Sequence, residues 1–505
     1  MDLFASQPVP KAKDVCLKGE HRFLTHQVTG VDWMISRELD PKVRGGILAD
    51  EPGMGKTIMT IGLMLALPQK RTLIVAPKSV VHQWYMEVRK FSDLSVAMVD
   101  RQTEPMAKAD LPSVVIVSYG LLRPDRTTKK QKTTGSFLAV ARDPKYHWIM
   151  DVPWNRIVLD EAHTMKNPKT QVAKGAMRLR VNAVKFALTG TPIQNSRTDL
   201  MTLAGWMGYF ESSTARDVCQ RLVLRRTIED VPDFVLPPLR VRVEQIDLHD
   251  LERAMYEAVE QYARRRVANA LKSTRNNMEI LEAILRCRQI CSHPQMFIDG
   301  MRKKMTVDYE DDFREELLED DWTEPVSKMD RTVKVIQDMP EGEKAVIMCS
   351  FIQEMTTYAA AIEDCMPGIR CAMFHGGLND DKRVQVLEEF RTAPETRVLL
   401  VQILAGGTGL NLQDANHVII LSPQWNPMWE VQALGRCYRH GQTRPVTLTR
   451  MVVRQSIEER ICEIQSDKLN MVSAALDDPR IGQKLALADL GLTARDIKKM
   501  FRKQS

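Results

Sequence analysis

A series of short, unbroken apolar runs constrains this chain more than any other feature. Thr72 to Ala76 (TLIVA), Val114 to Val117 (VVIV), Ile157 to Leu159 and Phe186 to Leu188 have strand length and show no polar alternation. Strands that are apolar on both faces belong to parallel sheets covered by helices on both sides. Helical spacing between the runs, as in Val80, Trp84, Val88 and Phe91, completes an alternation of strand and helix. The expected architecture is α/β, doubly wound. The pattern starts again at Lys344 to Ser350 (KAVIMCS), Arg397 to Val401 and His417 to Leu421, so a second lobe of similar build follows the first.

The apolar approach Gly45-Gly46-Ile47 runs into LADEPGMGKT, Leu48 to Thr57, and then into a further apolar run, Ile58 to Leu67. Gly53 and Gly55 allow a tight turn with backbone N–H groups pointing inward, Lys56 can reach outer phosphates, and Thr57 offers a hydroxyl to magnesium. Asp50, Glu51, Gly53, Met54, Gly55, Lys56 and Thr57 would thus hold ATP. The strict phosphate-loop pattern has glycine where Asp50 stands, so these ten residues alone also fit a Gly-rich turn in an unrelated loop. Gln27, some twenty residues earlier, carries an amide that donates and accepts at once and suits the edge of adenine.

The run Ile157 to Leu159 ends in Asp160-Glu161-Ala162-His163. Acids at the carboxyl end of a parallel strand are delivered to the crevice where such sheets bind ligands. Asp160 can hold magnesium, and Glu161 can orient or deprotonate the attacking water. Phe186 to Leu188 leads into Thr189-Gly190-Thr191, hydroxyls beside the same crevice that could sense the γ-phosphate, or a plain turn.

LADEPGMGKT, IVAPKSVVHQW, VSYG, LDEAHTMKN and LTGTPIQNS, in this order, resemble motifs I, Ia, Ib, II and III of the SWI/SNF-type ATPases of helicase superfamily 2. SFIQEM, FHGGLNDDKR, AGGTGLNLQDANHVIILSPQWNPMWE, QALGRCYRHGQ and SIEERI extend the resemblance over roughly residues 20 to 465. Departures from the family pattern are Pro52 and Met54 in the first motif, Ile228 for a usual lysine, His440 for a usual isoleucine, and FHGG in place of DGS. The wording is closest to the DNA-repair translocase branch, without its RING insertion. The resemblance implies two tandem RecA-like lobes with a helical insertion between them. It also implies ATP and magnesium as cofactors, double-stranded DNA as partner with nucleosomes or other DNA-bound protein beside it, and movement along DNA without strand separation. A DNA groove would be lined near Lys78, Ser118, Lys166, Asn167, Phe374 and Trp425. Two rival readings stand: a strand-separating helicase on DNA or RNA, and a non-catalytic scaffold, against which intact Lys56, Asp160, Glu161 and Arg439 speak.

In the second lobe the glycine-dense loop around Gly407 and Gly409 fits close backbone approach to phosphate or to the neighbouring lobe. Arg436 and Arg439 lie three apart and would share a helix face. Their fixed charge suits a transferring phosphoryl group, so hydrolysis would need the lobes closed.

The expected division is an extension over 1–20, a first lobe over 21–240, a helical insertion with an acidic linker over 241–325, a second lobe over 326–475 and a basic helical tail over 476–505. Strand signals fade after Leu236, whereas Leu251 to Leu271 and Ile280 to Cys291 have helical spacing. Asp308 to Glu324 carries ten acids against one arginine. It reads as a solvated linker, or as a nucleic-acid mimic over a basic groove. Arg123 to Lys132 (RPDRTTKKQK) and the tail residues Arg495, Lys498, Lys499, Arg502 and Lys503 are basic and either solvated or in contact with nucleic acid. Cys287, Cys291 and His293 are spaced for zinc but lack an evident fourth ligand, and packing at a helix end is the alternative.

The formal charge is +6 over 505 residues, which permits a polyanionic partner without requiring one. No apolar stretch reaches the ~18 residues of a bilayer span, and the start lacks a signal-peptide core. The expectation is a soluble intracellular protein without a membrane partner. Its place would be the nucleus, or a viral factory or virion if the source is a large DNA virus.

Overall fold

The computed structural model describes residues 9–68, 71–107, 109–123, 147–165, 167–179, 183–190, 197–209, 214–231, 236–272, 277–305, 320–403, 410–425 and 427–476. Lys166, Thr191, Gly407, Gly409, most of the basic stretch after Arg123, the acidic stretch up to Glu319 and the basic tail lie outside the described residues. The chain divides into two compact units, Met1–Val235 and Leu236–Ala474.

In the first unit the apolar runs form a fully parallel seven-stranded sheet. Its strands are β1 (Gly45–Leu48), β2 (Thr72–Ala76), β3 (Val96–Val99), β4 (Val114–Ser118), β5 (Arg156–Asp160), β6 (Val184–Leu188) and β7 (Val223–Leu224), in spatial order 3-4-2-5-6-1-7. Helices α1 (Thr25–Leu39), α2 (Lys56–Ala66) and α3 (Lys78–Phe91) cover one face. α4 (Gln171–Arg178), α5 (Arg197–Met207) and α6 (Ala215–Leu222) cover the other. The stripe Val80, Trp84, Val88, Phe91 is the buried side of α3, as its spacing predicts. With both faces covered, β2 and β6 are buried at every residue, Lys185 of β6 included.

The second unit holds a parallel sheet of β8 (Leu239–Ile246), β9 (Ala345–Cys349), β10 (Arg370–Phe374), β11 (Thr396–Gln402), β12 (His417–Ile420) and β13 (Val446–Val453), in order 10-11-9-12-13-8. α10 (Ser327–Gln337) and α11 (Ile352–Cys365) pack on one face, α12 (Asp380–Thr392) and α13 (Pro427–Cys437) on the other. A separate apolar cluster joins α7 (Asp250–Lys272), α8 (Asn277–Ser292) and α9 (Pro294–Met305) to Val453, Ile457, Ile461 and Ile464 at the start of α14 (Ile457–Leu476).

One expectation changes here. Where strand signals were read as fading, LRVRVEQI forms β8, the edge strand, which pairs with β13 along its whole length, from Leu239 with Val446 to Ile246 with Val453. Its Arg-Val-Arg-Val alternation reflects exposure on both faces: Arg240 and Arg242 are exposed on one, and Val241 and Val243 on the other are 49% and 53% exposed. The helices after it share a core with β13 and α14. Cys287 and Cys291 lie fully buried in that core, with burial pushing both thiols far above their ordinary range, and His293 Nδ1 accepts from the Gln295 N–H at 3.1 Å. Among the described residues no cluster of three metal-ligating side chains occurs.

Candidate active site

The loop between β1 and α2 turns as its glycines require: Gly53 has φ +90° and Gly55, at the N-cap of α2, has φ +86°. Lys56 opens α2, and its ammonium donates to the carbonyls of Asp50 at 2.7 Å and Glu51 at 3.2 Å, inside the turn. Thr57 follows at the first turn, where helix N–H groups are unpaired and favour anions.

The loop is gripped from two sides. From α1, His26 Nε2 lies 2.8 Å and Gln27 Nε2 3.4 Å from the Met54 carbonyl, while Gln27 Oε1 accepts from the Leu24 N–H at 3.0 Å. Gln27 therefore spends its amide on the protein and is only 7% exposed. From β7 and the residues after it, the Leu224 carbonyl accepts from the Ala49 N–H and the Arg226 carbonyl from that of Glu51. The Ile228 N–H donates to the Glu51 carboxylate at 3.0 Å, a backbone contact indifferent to the missing lysine. Asp50 requires a correction. Its side chain is fully buried on Arg226, whose Nε and Nη2 donate to its two oxygens at 3.1 and 2.5 Å, so that only its carbonyl faces Lys56.

At the end of β5, Asp160 Oδ2 accepts from Trp84 Nε1 at 2.7 Å and Oδ1 from the Glu161 N–H at 2.9 Å. Burial, and then the neighbouring charge of Glu161, push its carboxyl up to about 6 against the opposing pull of Trp84 and Lys56. Glu161 has φ +47°, a strained setting for a side chain of its size, and the Tyr119 hydroxyl donates to the Asp160 carbonyl at 2.8 Å. His163 Nδ1 lies 3.3 Å from Glu161 Oε2 and 3.3 Å from Thr189 Oγ1. Thr189 directly follows β6, the strand between β5 and β1, and a Cβ on Gly190 would stand 3.1 Å from Pro52. A continuous path of contacts thus runs from the acidic pair through His163, Thr189 and Gly190 to the phosphate loop. Trp84, His163 and Arg226 carry roles that sequence reading missed. His163 was at hand beside the acids, and Trp84 read only as a core position.

In the second unit α13 ends at Cys437, so Arg436 lies in its last turn and Arg439 in the bend beyond it; they do not share a helix face. The cause is Gln442, whose amide donates to the carbonyls of Gln413, Ala415 and Cys437 at 2.9 to 3.1 Å and closes the helix. Its N–H donates to the Arg439 carbonyl at 3.0 Å, and the Arg436 carbonyl accepts from the Leu412 N–H. The bend carrying Arg439 is therefore tied to the loop that follows the Gly-rich segment.

Among the DNA-groove candidates, Lys78 and Asn167 are exposed and Ser118 is half-buried at the end of β4. Phe374 is withdrawn: it is 2% exposed, packs in the second unit's core, and is covered by the Arg383 guanidinium. Trp425 is half-buried under the Arg288 guanidinium, 5.3 Å from its ring centroid.

A SNF2-related domain matches residues 26–208 and 208–296, and a helicase conserved C-terminal domain matches 327–441. The chain belongs to the SNF2-related family. This SNF2-related protein is an ATP hydrolase. It is 27% identical over 506 residues to the probable global transactivator of Orgyia pseudotsugata multicapsid polyhedrosis virus, a match covering 95% of this chain and 94% of the relative. It is 26% identical over 641 residues to the DNA repair protein rad8 of Schizosaccharomyces pombe, covering 90% of this chain but 54% of that protein, so it spans about half the length of that relative. The Sulfolobus solfataricus SWI2/SNF2 ATPase core solved in complex with dsDNA is 24% identical, with 95% of this chain and 97% of that one covered and a TM-score of 0.38.

Proposed function

We propose that this SNF2-related ATPase is stimulated by double-stranded DNA and uses ATP hydrolysis to move along it without separating the strands. The observation that carries the reading is the contact path from Asp160 and Glu161 through His163 and Thr189 to Gly190 and the phosphate loop. It gives loss of the γ-phosphate a mechanical route out of the site. The relative described as a DNA repair protein supports DNA as the substrate class.

In this reading Lys56 exchanges the carbonyls of Asp50 and Glu51 for phosphate oxygens, and the N-terminal turn of α2 receives the remaining charge. Magnesium fits the site, because Thr57 and Asp160 are hard oxygen donors and the crowding of Asp160 against Glu161, which raises the Asp160 carboxyl, favours a cation there. When bound it would neutralise charge on the transferring phosphate. Glu161, with His163 Nδ1 3.3 Å from its carboxylate, positions the attacking water, and Arg436 and Arg439 stabilise the phosphoryl group in the transition state. Thr189, Gly190 and Thr191 relay the event. Lys78, Ser118, Lys166, Asn167 and Trp425 follow the DNA backbone, and the protein works in the nucleus or, if the source is a large DNA virus, in a viral factory or virion.

ATP turnover measured with no nucleic acid, single-stranded DNA, duplex DNA, RNA and nucleosomes at one stated salt concentration tests this. Duplex DNA is expected to stimulate, and displacement of a third strand from a triplex is expected with the duplex left intact. Stimulation by RNA alone, or unwinding of a labelled duplex, overturns the reading.

A further inference from the structure

An acid is out of place at the head of a loop that takes a triphosphate. Asp50 has no exposed surface, its own carbonyl lies 2.7 Å from Lys56 Nζ, and its carboxylate is therefore about one side chain away from the charge the loop is built to receive. An anion so close in a poorly solvated setting opposes nucleotide binding unless it is cancelled. Arg226, 176 residues further on, supplies the cancellation. Its backbone N–H and Nε both donate to Asp50 Oδ1 at 3.1 Å, and Nη2 donates to Oδ2 at 2.5 Å, a two-pronged pairing with fixed geometry. Its remaining donor, Nη1, reaches the His26 carbonyl at 2.6 Å and Thr29 Oγ1 at 2.7 Å on α1, the helix whose His26 and Gln27 hold the other end of the loop at Met54.

We infer that Arg226 is a positioning residue for ATP. It neutralises Asp50 and fastens the phosphate loop to α1 and to the segment after β7, so that Lys56 and the N-terminus of α2 meet the phosphates without an opposing charge. The inference rests on the reading of residues 48–57 as the phosphate loop. It also gives the departure from a glycine-headed loop a physical sense, since glycine asks only for room whereas Asp50 requires a cation.

The sign of two substitutions separates charge cancellation from a mere structural tether. Arg226→Gln keeps a hydrogen-bonding side chain but leaves Asp50 uncancelled, and the KM for ATP should rise tenfold or more, with a parallel loss of affinity for a fluorescent ATP analogue. Asp50→Asn breaks the same ion pair but leaves an uncancelled cation, and the KM should stay at or below that of the unmodified chain. The double variant should recover most of the affinity lost by Arg226→Gln. A tether alone predicts that all three weaken binding alike. Should Arg226→Gln fail to fold, as judged by thermal melting, Asp50→Asn decides by itself. A KM at or below the original supports cancellation, and a tenfold rise with an unchanged melting point overturns it. Lys56→Ala, run alongside, separates this from an error in the loop assignment, because it loses nucleotide affinity only if the loop is the phosphate site.

Discussion

Each unit buries a lysine, and the two are treated differently. Lys328 in the second unit is fully buried with Glu458, which accepts from it at 2.7 Å, and the Leu421 carbonyl takes a further bond. Lys185 in β6 of the first unit is 4% exposed and donates only to the Trp206 carbonyl at 2.7 Å, with that ring beneath it; burial lowers it to about 8. The contrast extends beyond lysines. The second unit pairs several of its internal charges, as in Arg450 with Glu430 and Arg460 with Glu260 around α14. The first unit does so at one end of β5, where Arg156 and Glu38 form a fully buried pair, and leaves the other end with two crowded acids and a strained Glu161. The crowded acids thus stand where a ligand can relieve them, whereas the charges of Lys328, Arg450 and Arg460 are met by acids of the protein itself. Changes at the first kind of place should cost turnover, and changes at the second should cost stability.

The sharpest way to break this contrast is at the crowded end. Lys56→Ala and Glu161→Gln should each lower ATP turnover on the order of 10³-fold or more, with the thermal midpoint of the nucleotide-free protein unchanged or raised. A large fall in melting temperature would make these residues structural. Arg439→Ala should lower kcat by about 10³-fold with little change in the KM for ATP, as measured by steady-state kinetics. Unchanged kcat would remove the second unit from the chemistry.

At the balanced end, Lys328→Met leaves Glu458 buried without its paired cation and should destabilise by about 3–5 kcal/mol in urea titration. Affinity for an ATP analogue in the remaining folded protein should be retained. Lys185→Met should act in the opposite direction. Because the folded value, about 8, lies below the unfolded 10.5, the unfolded chain holds more protons between these limits and stability rises with pH across them. At pH 7 the methionine variant should be the more stable by up to about 3 kcal/mol, less the lost hydrogen bond. That advantage should shrink as the pH rises from about 8 towards 10.5. A gap constant with pH, measured by urea denaturation, would show that Lys185 does not titrate in this window.

Much of this was legible because it is local. The phosphate loop, the acids at the end of β5 and the apolar runs each sit within a few consecutive residues, where sterics and burial act directly. What escaped is distant or exposed. Arg226 meets Asp50 across 176 positions, and nothing in either neighbourhood announces the partner. The break between Arg436 and Arg439 depends on an amide that takes up carbonyls from both sides of β12 and β13's approach, so helical spacing alone could not locate it. Phe374 was named from the resemblance alone, and its ring fills the core beneath Arg383. β8 escaped because an exposed edge strand lacks the apolar continuity by which its neighbours were found.

That edge strand has a consequence for how the chain is made. Leu239 and its partner Val446 are separated by about 200 residues, so at ribosomal speeds of roughly 5–20 residues per second β8 waits some tens of seconds for its mate to emerge. During that interval the arginines at 240 and 242, set between the valines, discourage the nascent strand from joining a stranger.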